Sequence, residues 1–379
     1  MAHRYFGALL ATVAATMAPP AEARGRWSEA QAKAWYRAQP WLVGANYTPA
    51  SAINQLEMWQ ATTWDPQAID RELGWAHDIG MNTMRVFLHD QLWRQDPAGF
   101  RQRIDAFLTI AARHGVKPLF VLFDSCWDPD PKLGPQHPPT PGVHNSGWVQ
   151  GPGMAGLRDR SRYPGYKAYV QGVIGAFRDD PRILGWDVWN EPDNGADQYK
   201  GQGGKEPLVR ALLAQVFTWA RAADPSQPLT SGVWQHDDWT PGGGKRTAME
   251  TLQLEQSDVI SFHDYSWPET FEARVKQLLS YGRPILCTEY MARGNGSTFD
   301  GSLPIGKRYD VAMINWGFVD GKTQTRLPWD SWKKPYVLEE PTIWFHEVFR
   351  ADGTPYRAAE TDLIRKLAAA PRGVAPAVR

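Results

Sequence analysis

The sequence is poor in cysteine and has no excess of charge of either sign. Lysine and arginine together number 41, and aspartate and glutamate together also number 41, so the net charge is near zero. Because no basic field exists to hold the phosphate backbone, we expect no nucleic-acid partner. The two cysteines are Cys126 and Cys287, and no His/Cys spacing typical of zinc accompanies them. We expect both thiols to be reduced and buried, and we expect no metal or organic cofactor.

Long hydrophobic runs are also missing, except near the N-terminus. Residues 6–18 form an apolar stretch after a short basic start, and residues 21–23 read Ala-Glu-Ala, the pattern of a cleavage site. The stretch is too short to span a membrane and is typical of a secretory signal peptide. We therefore expect residues 1–23 to be removed and residues 24–379 to form one domain, secreted or periplasmic, with no membrane partner and acting as a monomer.

Short β-rich runs alternate with amphipathic helical patterns along the rest of the chain. The predicted strands are residues 41–47, 83–89, 117–124, 183–191, 228–234, 259–265, 284–290 and 311–318. Most are almost continuously apolar, as parallel strands covered on both faces are. Eight such strands alternating with helices predict an α/β fold, a (β/α)8 TIM barrel. A doubly wound open sheet is the alternative, but no Gly-rich phosphate loop follows the first strand.

The helical patterns differ in strength. Two of them end on a glycine, Gly115 and Gly282, a residue that commonly caps a helix C-terminus. The helix after the fifth strand and the helix before the eighth are the most weakly indicated. Residues 341–350 carry a last amphipathic pattern. On this strand count the two cysteines fall on the third and seventh strands, on opposite sides of a barrel, which disfavours a disulfide between them.

Tryptophan is unusually abundant, with 19 residues against 13 tyrosines. Long segments follow the third strand (residues 124–162) and the fifth strand (residues 234–246), at the face where barrel active sites form. Such loops would wall a cleft, and a flat apolar ring with one N–H suits a sugar. We expect several tryptophans near strand ends or in loops to face a ligand: Trp59, Trp64, Trp127, Trp148, Trp234, Trp267 and Trp329.

Two glutamates close predicted strands at the same mouth of this barrel. Glu191 ends the fourth strand, in the stretch ILGWDVWNEP, and Glu289 ends the seventh. Pro192 stops the strand and stiffens the turn beside Glu191. Two carboxyl groups facing each other across a cleft perform acid/base or nucleophilic chemistry on a glycosidic bond. The alternative is a pair of structural acids that cap helices or pair with arginine.

The environment expected for Glu191 favours a protonated acid. Trp186 and Trp189 stand beside it in the sequence and would lower the local polarity. Burial among apolar groups raises the pKa of a carboxyl group and keeps it protonated near neutral pH.

Five short motifs in strand order resemble glycoside hydrolase family 5 or a close relative in the same clan A of barrel enzymes. They are MRVF around Arg85, WNEP at residues 189–192, HDY at 263–265, TEY at 288–290 and INWG around Trp316. The resemblance as a whole covers most of the chain after residue 23, from about the first strand to the eighth. The resemblance implies a retaining mechanism, with Glu191 as the general acid/base and Glu289 as the nucleophile.

The same resemblance implies roles for further residues. It implies that Asn190 binds the sugar hydroxyl next to the anomeric carbon and that Trp316 floors the site of the sugar being cleaved. It implies that Arg85 and Tyr265 hydrogen-bond Glu289, and that His263 lies near Glu191. The structural alternatives are a buried salt-bridging arginine for Arg85 and core packing for His263 and Trp316.

The end of the third strand departs from the family pattern. A histidine is common there in the family, whereas this chain has LFDSCW, with Asp124 in its place. Asp124 and Trp127 are therefore candidate substrate-binding residues, and His89 and Asp90 are alternatives. The acids Asp90, Asp124 and Asp128 together suggest a rim that grips one terminal sugar, as in an exo-acting enzyme.

The resulting prediction is a secreted retaining β-glycoside hydrolase with a carbohydrate substrate. It would cleave β-linked oligo- or polysaccharide of gluco or manno configuration by double displacement. One alternative is a transglycosylase that uses the same glutamates but transfers the sugar to another sugar. Another is a non-catalytic carbohydrate-binding barrel, which predicts the loss of a catalytic carboxylate, and both carboxylates are present.

Overall fold

The computed structural model describes Met1, residues 24–195 and residues 204–372. Apart from Met1, the predicted signal peptide lies outside these residues. In the described part of the chain, eight strands alternate with helices, as the sequence predicts. The strands are β1 (Val43–Asn46), β2 (Thr83–Phe87), β3 (Lys117–Val121), β4 (Gly185–Asp187), β5 (Leu229–Thr230), β6 (Ile260–His263), β7 (Ile285–Glu289) and β8 (Ala312–Asn315).

The strands form one parallel sheet that closes on itself. The hydrogen-bonded order is β5-β4-β3-β2-β1-β8-β7-β6, and a parallel bridge between Val233 and Phe262 joins the two outer strands just past β5. The backbone N–H of His263 donates to the Val233 carbonyl over 2.9 Å at this seam. Closure places all strand C-termini around one mouth, so the predicted (β/α)8 barrel is confirmed.

Twelve α-helices are found in the described residues, and they surround the barrel or fill its loops. They are α1 (Glu29–Arg37), α2 (Gln55–Trp59), α3 (Pro66–Asp78), α4 (Asp90–Gln95), α5 (Pro97–Arg113), α6 (Met154–Arg158), α7 (Tyr163–Phe177), α8 (Glu206–Ala222), α9 (Ala248–Gln256), α10 (Pro268–Leu279), α11 (Phe299–Arg308) and α12 (Ala358–Ala369). The two weakly indicated helices, α9 and α11, are both present. Gly115 follows α5 with a φ of 68°, a left-handed conformation that glycine adopts without steric cost.

Residues 341–350 correct one expectation, because they form no helix. The Phe345 N–H donates to the Arg326 carbonyl over 2.7 Å, and the Val348 and Phe349 N–H groups donate to the Phe318 carbonyl over 3.1 and 2.9 Å. Carbonyls elsewhere in the segment between β8 and α12 therefore satisfy these backbone N–H groups. Most apolar side chains of residues 341–350 are buried without helical geometry, so their spacing was misleading.

The N-terminal end of the barrel is filled by side chains. One apolar cluster there joins α1 and the segment before it to residues at the starts of the strands: Trp27, Ala32, Tyr36, Leu42, Leu119, Leu184, Val259, Leu286, Ala312 and Ile314. Asp258 fixes this end by accepting the Trp27 backbone N–H over 2.8 Å and pairing with Arg221 at 3.1 Å. A packed lower end leaves the mouth at the strand C-termini for a site.

Both cysteines are free and buried, as expected. Cys287 lies on β7, whereas Cys126 lies in the loop after β3 and not on the strand itself. Within residues 24–195 and 204–372, no helix is both long enough and apolar enough to cross a membrane.

Candidate active site

The two predicted carboxylates face each other at the mouth of the barrel. Glu289 is the last residue of β7, and Glu191 lies four residues after the end of β4. Side-chain atoms of Glu191, His263 and Glu289 all lie within 4.8 Å of one another. The carboxylates are only 8% and 5% exposed, respectively. Two residues that are distant in the sequence thus form one buried, close pair.

Glu289 is held by a cation and a phenol. Its Oε1 accepts a hydrogen bond from Arg85 Nη1 over 2.8 Å, and its Oε2 accepts one from the Tyr265 hydroxyl, also over 2.8 Å. Both donors favour the ionised carboxylate. The structure therefore brings Arg85 and Tyr265 to the positions that the resemblance implies.

Arg85 is fully buried and is fixed by more than its contact with Glu289. Its Nε and Nη2 donate to Asp187 Oδ2 over 3.0 and 2.8 Å, and Nη1 donates to Asn46 Oδ1 over 2.9 Å. Its Nη2 also donates to Asn190 Oδ1 over 2.7 Å. A guanidinium with this many partners has little freedom to leave Glu289. The sequence analysis missed Asp187, although it lies four residues before Glu191 on the same strand run.

Glu191 itself has an uncommon backbone conformation. Its φ is +42°, in the left-handed region, which costs an L-residue roughly 1–2 kcal/mol. The Asn194 N–H donates to the Glu191 carbonyl over 2.9 Å and closes the turn that includes Pro192. Strain of this kind persists only where surrounding contacts fix it, and it is frequent at functional sites.

The side chain of Glu191 contacts neutral groups. Its Oε2 accepts from Asn194 Nδ2 over 2.9 Å and from the Cys126 thiol over 3.2 Å. Its Oε1 lies 3.0 Å from His263 Nδ1. His263 also lies 3.5 Å from Glu289 Oε2, so it stands between the two acids. Sequence reasoning missed Cys126, which the loop after β3 brings to Glu191, and Asn194, which lies three residues after Glu191 in the same turn.

The protonation of the pair follows from these contacts. Burial raises the pKa of Glu191 and also that of Glu289. For Glu289, the neighbouring His263, Arg85 and Tyr265 oppose this rise, whereas the charge of Glu191 adds to it. Because one of two close carboxyls ionises first, Arg85 assigns the negative charge to Glu289 and leaves the proton on Glu191. Burial lowers the pKa of His263 to about 4, so its ring is neutral at pH 7.

A cleft of about 260 Å³ lies above the two glutamates. Asn190, Cys126, Asn194, Tyr265 and both glutamates line it, together with His144 and five tryptophans: Trp127, Trp148, Trp234, Trp316 and Trp329. Trp316 packs edge-on against Phe87 and Trp148, with ring centroids 6.2 and 6.0 Å apart. An aromatic enclosure around two acids suits a sugar ring.

The tryptophans expected to face a ligand divide into two groups. Trp127, Trp148, Trp234 and Trp329 do line the cleft. Trp59 is fully buried in the core and stacks on Trp64 at 5.4 Å, and Trp267 is 64% exposed next to Gly296. The three outside the cleft show that a strand end or a loop alone does not predict contact with a ligand.

Asp124 is occupied within the protein. Its Oδ1 accepts from Asn190 Nδ2 over 2.9 Å and from the Cys126 N–H over 3.0 Å, and its Oδ2 accepts from Trp148 Nε1 over 2.5 Å. Asp124 is buried and is absent from the described lining of the cleft. The structure therefore places it as a brace that orients Asn190 and Trp148, and does not bring it to the cavity.

The other residues considered for contact with the substrate, His89, Asp90 and Asp128, do not line the cleft either. His89 is buried, accepts the Gln91 N–H through Nδ1 and lies 2.9 Å from the Gln150 carbonyl through Nε2. Asp90 lines a separate pocket with Trp93 and Arg162. Asp128 Oδ1 accepts the N–H of Asp130 over 2.9 Å. None of Asp90, Asp124 and Asp128 is among the residues that line the cleft.

The apolar neighbours expected for Glu191 also differ. Trp186 Nε1 donates to Gln227 Oε1 over 3.1 Å, and the Trp186 ring packs against Phe120. Trp189 packs against Phe123 and donates to Ser125 Oγ over 2.8 Å. Burial of Glu191 is real, but Cys126 and the cleft tryptophans contribute to it.

Among the described side chains, Glu191, His263 and Glu289 form the group close enough to share a metal ion. Their oxygens, however, already accept hydrogen bonds from Arg85, Tyr265, Asn194 and Cys126. A guanidinium 2.8 Å from Glu289 supplies the positive charge that an ion would bring. The donor set therefore fits a pair of reacting carboxyls better than a set of metal ligands.

A closed parallel barrel with two facing glutamates at its C-terminal mouth is typical of glycoside hydrolases. Comparison with known proteins narrows the kind of glycoside hydrolase that the chain resembles. No protein-family model matches the chain. The chain is 29% identical over 118 residues to probable mannan endo-1,4-beta-mannosidase C of Aspergillus terreus, covering 28% of this chain and 29% of that protein. It is 22% identical over 215 residues to probable mannan endo-1,4-beta-mannosidase F of Aspergillus flavus, covering 52% and 43%.

A solved structure matches over most of the chain. A GH5_18 protein of Streptomyces cattleya in complex with Manb1-4GlcNAc has a TM-score of 0.59 and 12% identity, covering 89% of this chain and 83% of that one. This likeness supports the fold. The chain spans 29–48% of the length of the curated relatives that it matches. The curated matches and this fold together support the resemblance to the family 5 glycoside hydrolases of clan A.

Proposed function

We propose that this chain is a retaining β-glycoside hydrolase that acts on β-linked, manno-configured saccharides. The observation that carries the proposal is the buried pair of Glu191 and Glu289, with side-chain atoms within 4.8 Å of each other and of His263. Retaining enzymes hold their two carboxyls ~5–5.5 Å apart, whereas inverting enzymes leave room for a water at roughly 6.5–9.5 Å. The close spacing favours direct attack by one carboxylate.

In the first step, Glu289 attacks the anomeric carbon and the glycosidic bond breaks. Glu191 gives its proton to the departing oxygen, so the leaving sugar is released as an alcohol and Glu191 becomes a carboxylate. In the second step, Glu191 takes a proton from water, and the resulting hydroxide oxygen displaces Glu289 from the sugar. Both glutamates return to their starting states, and the configuration at the anomeric carbon is retained.

The surroundings of each glutamate support this division of roles. Glu289 must be ionised to attack, and Arg85 and Tyr265 each donate to it over 2.8 Å. Glu191 must start protonated, and burial raises its pKa. Its hydrogen-bond partners are an amide, a thiol and a neutral imidazole, none of which opposes protonation as firmly as a paired cation would.

Two further residues are proposed to position the sugar. Asn190 lines the cleft, and its amide is fixed by Arg85 on the oxygen and by Asp124 on the nitrogen. The other Nδ2 proton meets only a weak acceptor, Cys126 Sγ at 3.5 Å, and would bind a sugar hydroxyl next to the reacting carbon. Trp316 supplies a flat apolar face beside the two acids, on which the ring of the reacting sugar would lie.

The manno configuration is inferred from the relatives. The curated matches are named mannan endo-1,4-beta-mannosidases, and the matching solved structure holds Manb1-4GlcNAc. A gluco-configured substrate is the competing choice, because the two sugars differ only in the orientation of one hydroxyl, next to the carbon that Glu289 attacks.

We also propose that the protein is exported and acts as a monomer. Export is supported by the signal-peptide pattern of residues 1–23. Mass spectrometry of protein recovered outside the cytoplasm should show a chain that begins near Arg24. Light scattering after size exclusion should give one chain of the mature mass, and a dimer mass would contradict the monomer.

The activity is tested with aryl β-mannosides and aryl β-glucosides followed by ¹H NMR of the first sugar released. We expect the mannoside to be the better substrate and the β-anomer to appear before mutarotation. Release of the α-anomer would show inversion and reject the double displacement. Absence of hydrolysis, with sugar binding retained, would instead favour the carbohydrate-binding barrel.

A further inference from the structure

The loops that follow β3 (residues 122–153, the β3 loop) and β8 (residues 316–357, the β8 loop) are joined to each other over the mouth of the barrel. Both loops are long, and neither is held only by its own backbone. The hydrogen bonds that connect them include Asn145 N–H to the Thr323 carbonyl over 2.8 Å, Tyr336 N–H to the Gly142 carbonyl over 2.9 Å, and His144 N–H to Ser331 Oγ over 2.9 Å.

Side chains reinforce this junction and face the cleft. The rings of Trp127 and Trp332 stack at 4.8 Å, with an angle of 11° between their planes. His144 Nδ1 lies 2.9 Å from the Leu327 carbonyl, so the ring nitrogen donates across the junction. Trp127 and His144 both line the cleft, so the inner face of the junction is a wall of the active site.

The loop after β1 supports the junction from below. Asn54 Nδ2 donates to the Gly147 carbonyl over 2.8 Å, and Gln55 Nε2 donates to the Val149 carbonyl over 2.8 Å. The Lys322 N–H donates to the Ala50 carbonyl over 3.1 Å. The wall therefore has three loops tied together on the side of the mouth formed by β8, β1, β2 and β3.

The roles proposed for Glu191 and Glu289 fix how a bound substrate must lie relative to this wall. Glu191 must contact the leaving oxygen, so the leaving sugar lies on the β4 side, where Asn194 and Trp234 line the cleft. The reacting sugar lies against Glu289, and Tyr265, which binds Glu289, packs on Trp329 of the β8 loop at 5.1 Å. The non-reducing end of that sugar therefore points toward the joined loops.

We propose that the joined β3 and β8 loops close the non-reducing end of the cleft after one sugar, so that the enzyme is exo-acting and releases single sugars. This inference rests on the proposed function. The cleft of about 260 Å³ agrees with it, because it lies just below the roughly 300–1,000 Å³ of ligand pockets that hold larger molecules. An endo-acting enzyme needs a groove that continues past the reacting sugar on both sides.

Buried polar atoms without a hydrogen-bond partner lie in a small pocket beside the cleft. Asn145 is fully buried, and neither Nδ2 nor Oδ1 has a hydrogen-bond partner; the same is true of Glu347 Oε2. Both residues line a pocket of about 20 Å³ behind Trp148 and Trp316, which is large enough for about one water or one hydroxyl group. This pocket shares Trp148 and Trp316 with the cleft, so it marks the back of the wall against which a terminal sugar would lie.

The test uses manno- and gluco-configured β-1,4-linked pentasaccharides labelled at the reducing end. In the first few per cent of turnover, an exo-acting enzyme gives a labelled tetrasaccharide and an unlabelled single sugar. Labelled di- or trisaccharide among the first products would overturn the inference and leave the proposed function standing. If neither pentasaccharide nor any aryl β-glycoside is cleaved, it is the proposed function that fails.

A second substrate examines the wall itself. An aryl β-mannoside whose terminal 4-hydroxyl carries one further sugar should be cleaved at its aryl bond far more slowly than the unextended mannoside. Trp332→Ala removes a side chain that is 48% exposed and stacks on Trp127, and Trp267→Ala removes one that is 64% exposed outside the cleft. Loss of the stack should raise the ratio of extended to unextended cleavage by roughly fivefold, whereas the control should leave it unchanged. Equal cleavage of both substrates by the unaltered enzyme would refute the closed end.

Discussion

The chain places one glutamate just after β4 and another at the end of β7. The two are similarly buried, but their hydrogen-bond partners differ. Glu191 and Glu289 are both buried, and burial raises the pKa of each. Glu289 is the last residue of β7 and is bound by Arg85, whereas Glu191 has a φ of +42°, opens a turn and is bound by neutral groups. The difference shows that burial alone does not distinguish the two carboxyls. The neighbouring charge does, and it is the basis for proposing that Glu289 attacks and that Glu191 donates a proton.

The largest effect is expected from removing the charge at the β7 end. Glu289→Gln keeps the shape of the side chain but cannot attack the anomeric carbon, so kcat should fall by roughly 10⁴–10⁶-fold. Initial rates on an aryl β-mannoside measure the loss. Binding of the product sugar by calorimetry and the circular dichroism spectrum serve as controls. Turnover within tenfold of the unaltered enzyme would remove Glu289 from the role of nucleophile.

The matched change at the β4 end should depend on the leaving group. Glu191→Gln removes the proton donor, and loss of general acid catalysis costs roughly 10²–10⁴-fold when the leaving oxygen needs a proton. An activated dinitrophenyl mannoside needs none, so its first step should be nearly normal. A comparison of kcat/KM for the two kinds of substrate measures this. Equal losses for both would show that Glu191 acts in some way other than as an acid.

Tyr265→Phe changes the β7 end without removing its carboxylate. Burial raises the pKa of Glu289, and the hydrogen bond from the Tyr265 hydroxyl opposes that rise. Without this bond the pKa of Glu289 rises further, so the acidic limb of the kcat/KM profile should move to higher pH, by roughly one unit. A kcat/KM profile across the acidic limb gives the shift. A limb that stays in place or moves to lower pH would contradict the assignment.

The smallest effect is expected at Cys126, which contacts only Glu191 of the pair. Burial raises the pKa of Glu191, and the bond from the thiol opposes it. Cys126→Ala should therefore raise this pKa further and move the alkaline limb of the profile to higher pH. Cys126→Ser keeps a donor and should restore the limb of the unaltered enzyme. A shift of the acidic limb instead would mean that the thiol acts on Glu289.

The sequence allowed most of the barrel to be predicted because buried parallel strands are almost continuously apolar. The prediction of a helix at residues 341–350 failed for a physical reason. Buried apolar side chains can recur at helical spacing even when the backbone N–H groups bond to carbonyls elsewhere in the same connection. Glu191, Glu289, Arg85 and Tyr265 were predictable because they lie on or next to strands whose order fixes their position at the mouth.

Loop residues of the site were much harder to predict. The loop after β3 brings Cys126 to Glu191, and no local pattern reveals that contact, whereas Asn194 lies three residues after Glu191 in the same turn. Asp124 shows the converse: a polar residue at a strand end was expected in the cleft, but Trp148, the Asn190 amide and the Cys126 N–H occupy its oxygens. Hydrogen-bond partners, and not position along the chain, separate braces from binding residues.

The most direct test of the central claim is to trap the sugar on the enzyme. A 2-deoxy-2-fluoro-β-mannosyl fluoride slows the second step more than the first, so the labelled enzyme accumulates and its peptides can be mapped by mass spectrometry. The account predicts one sugar per chain, attached to the peptide that contains Glu289. A label on Glu191, or inactivation without any covalent sugar, would contradict it.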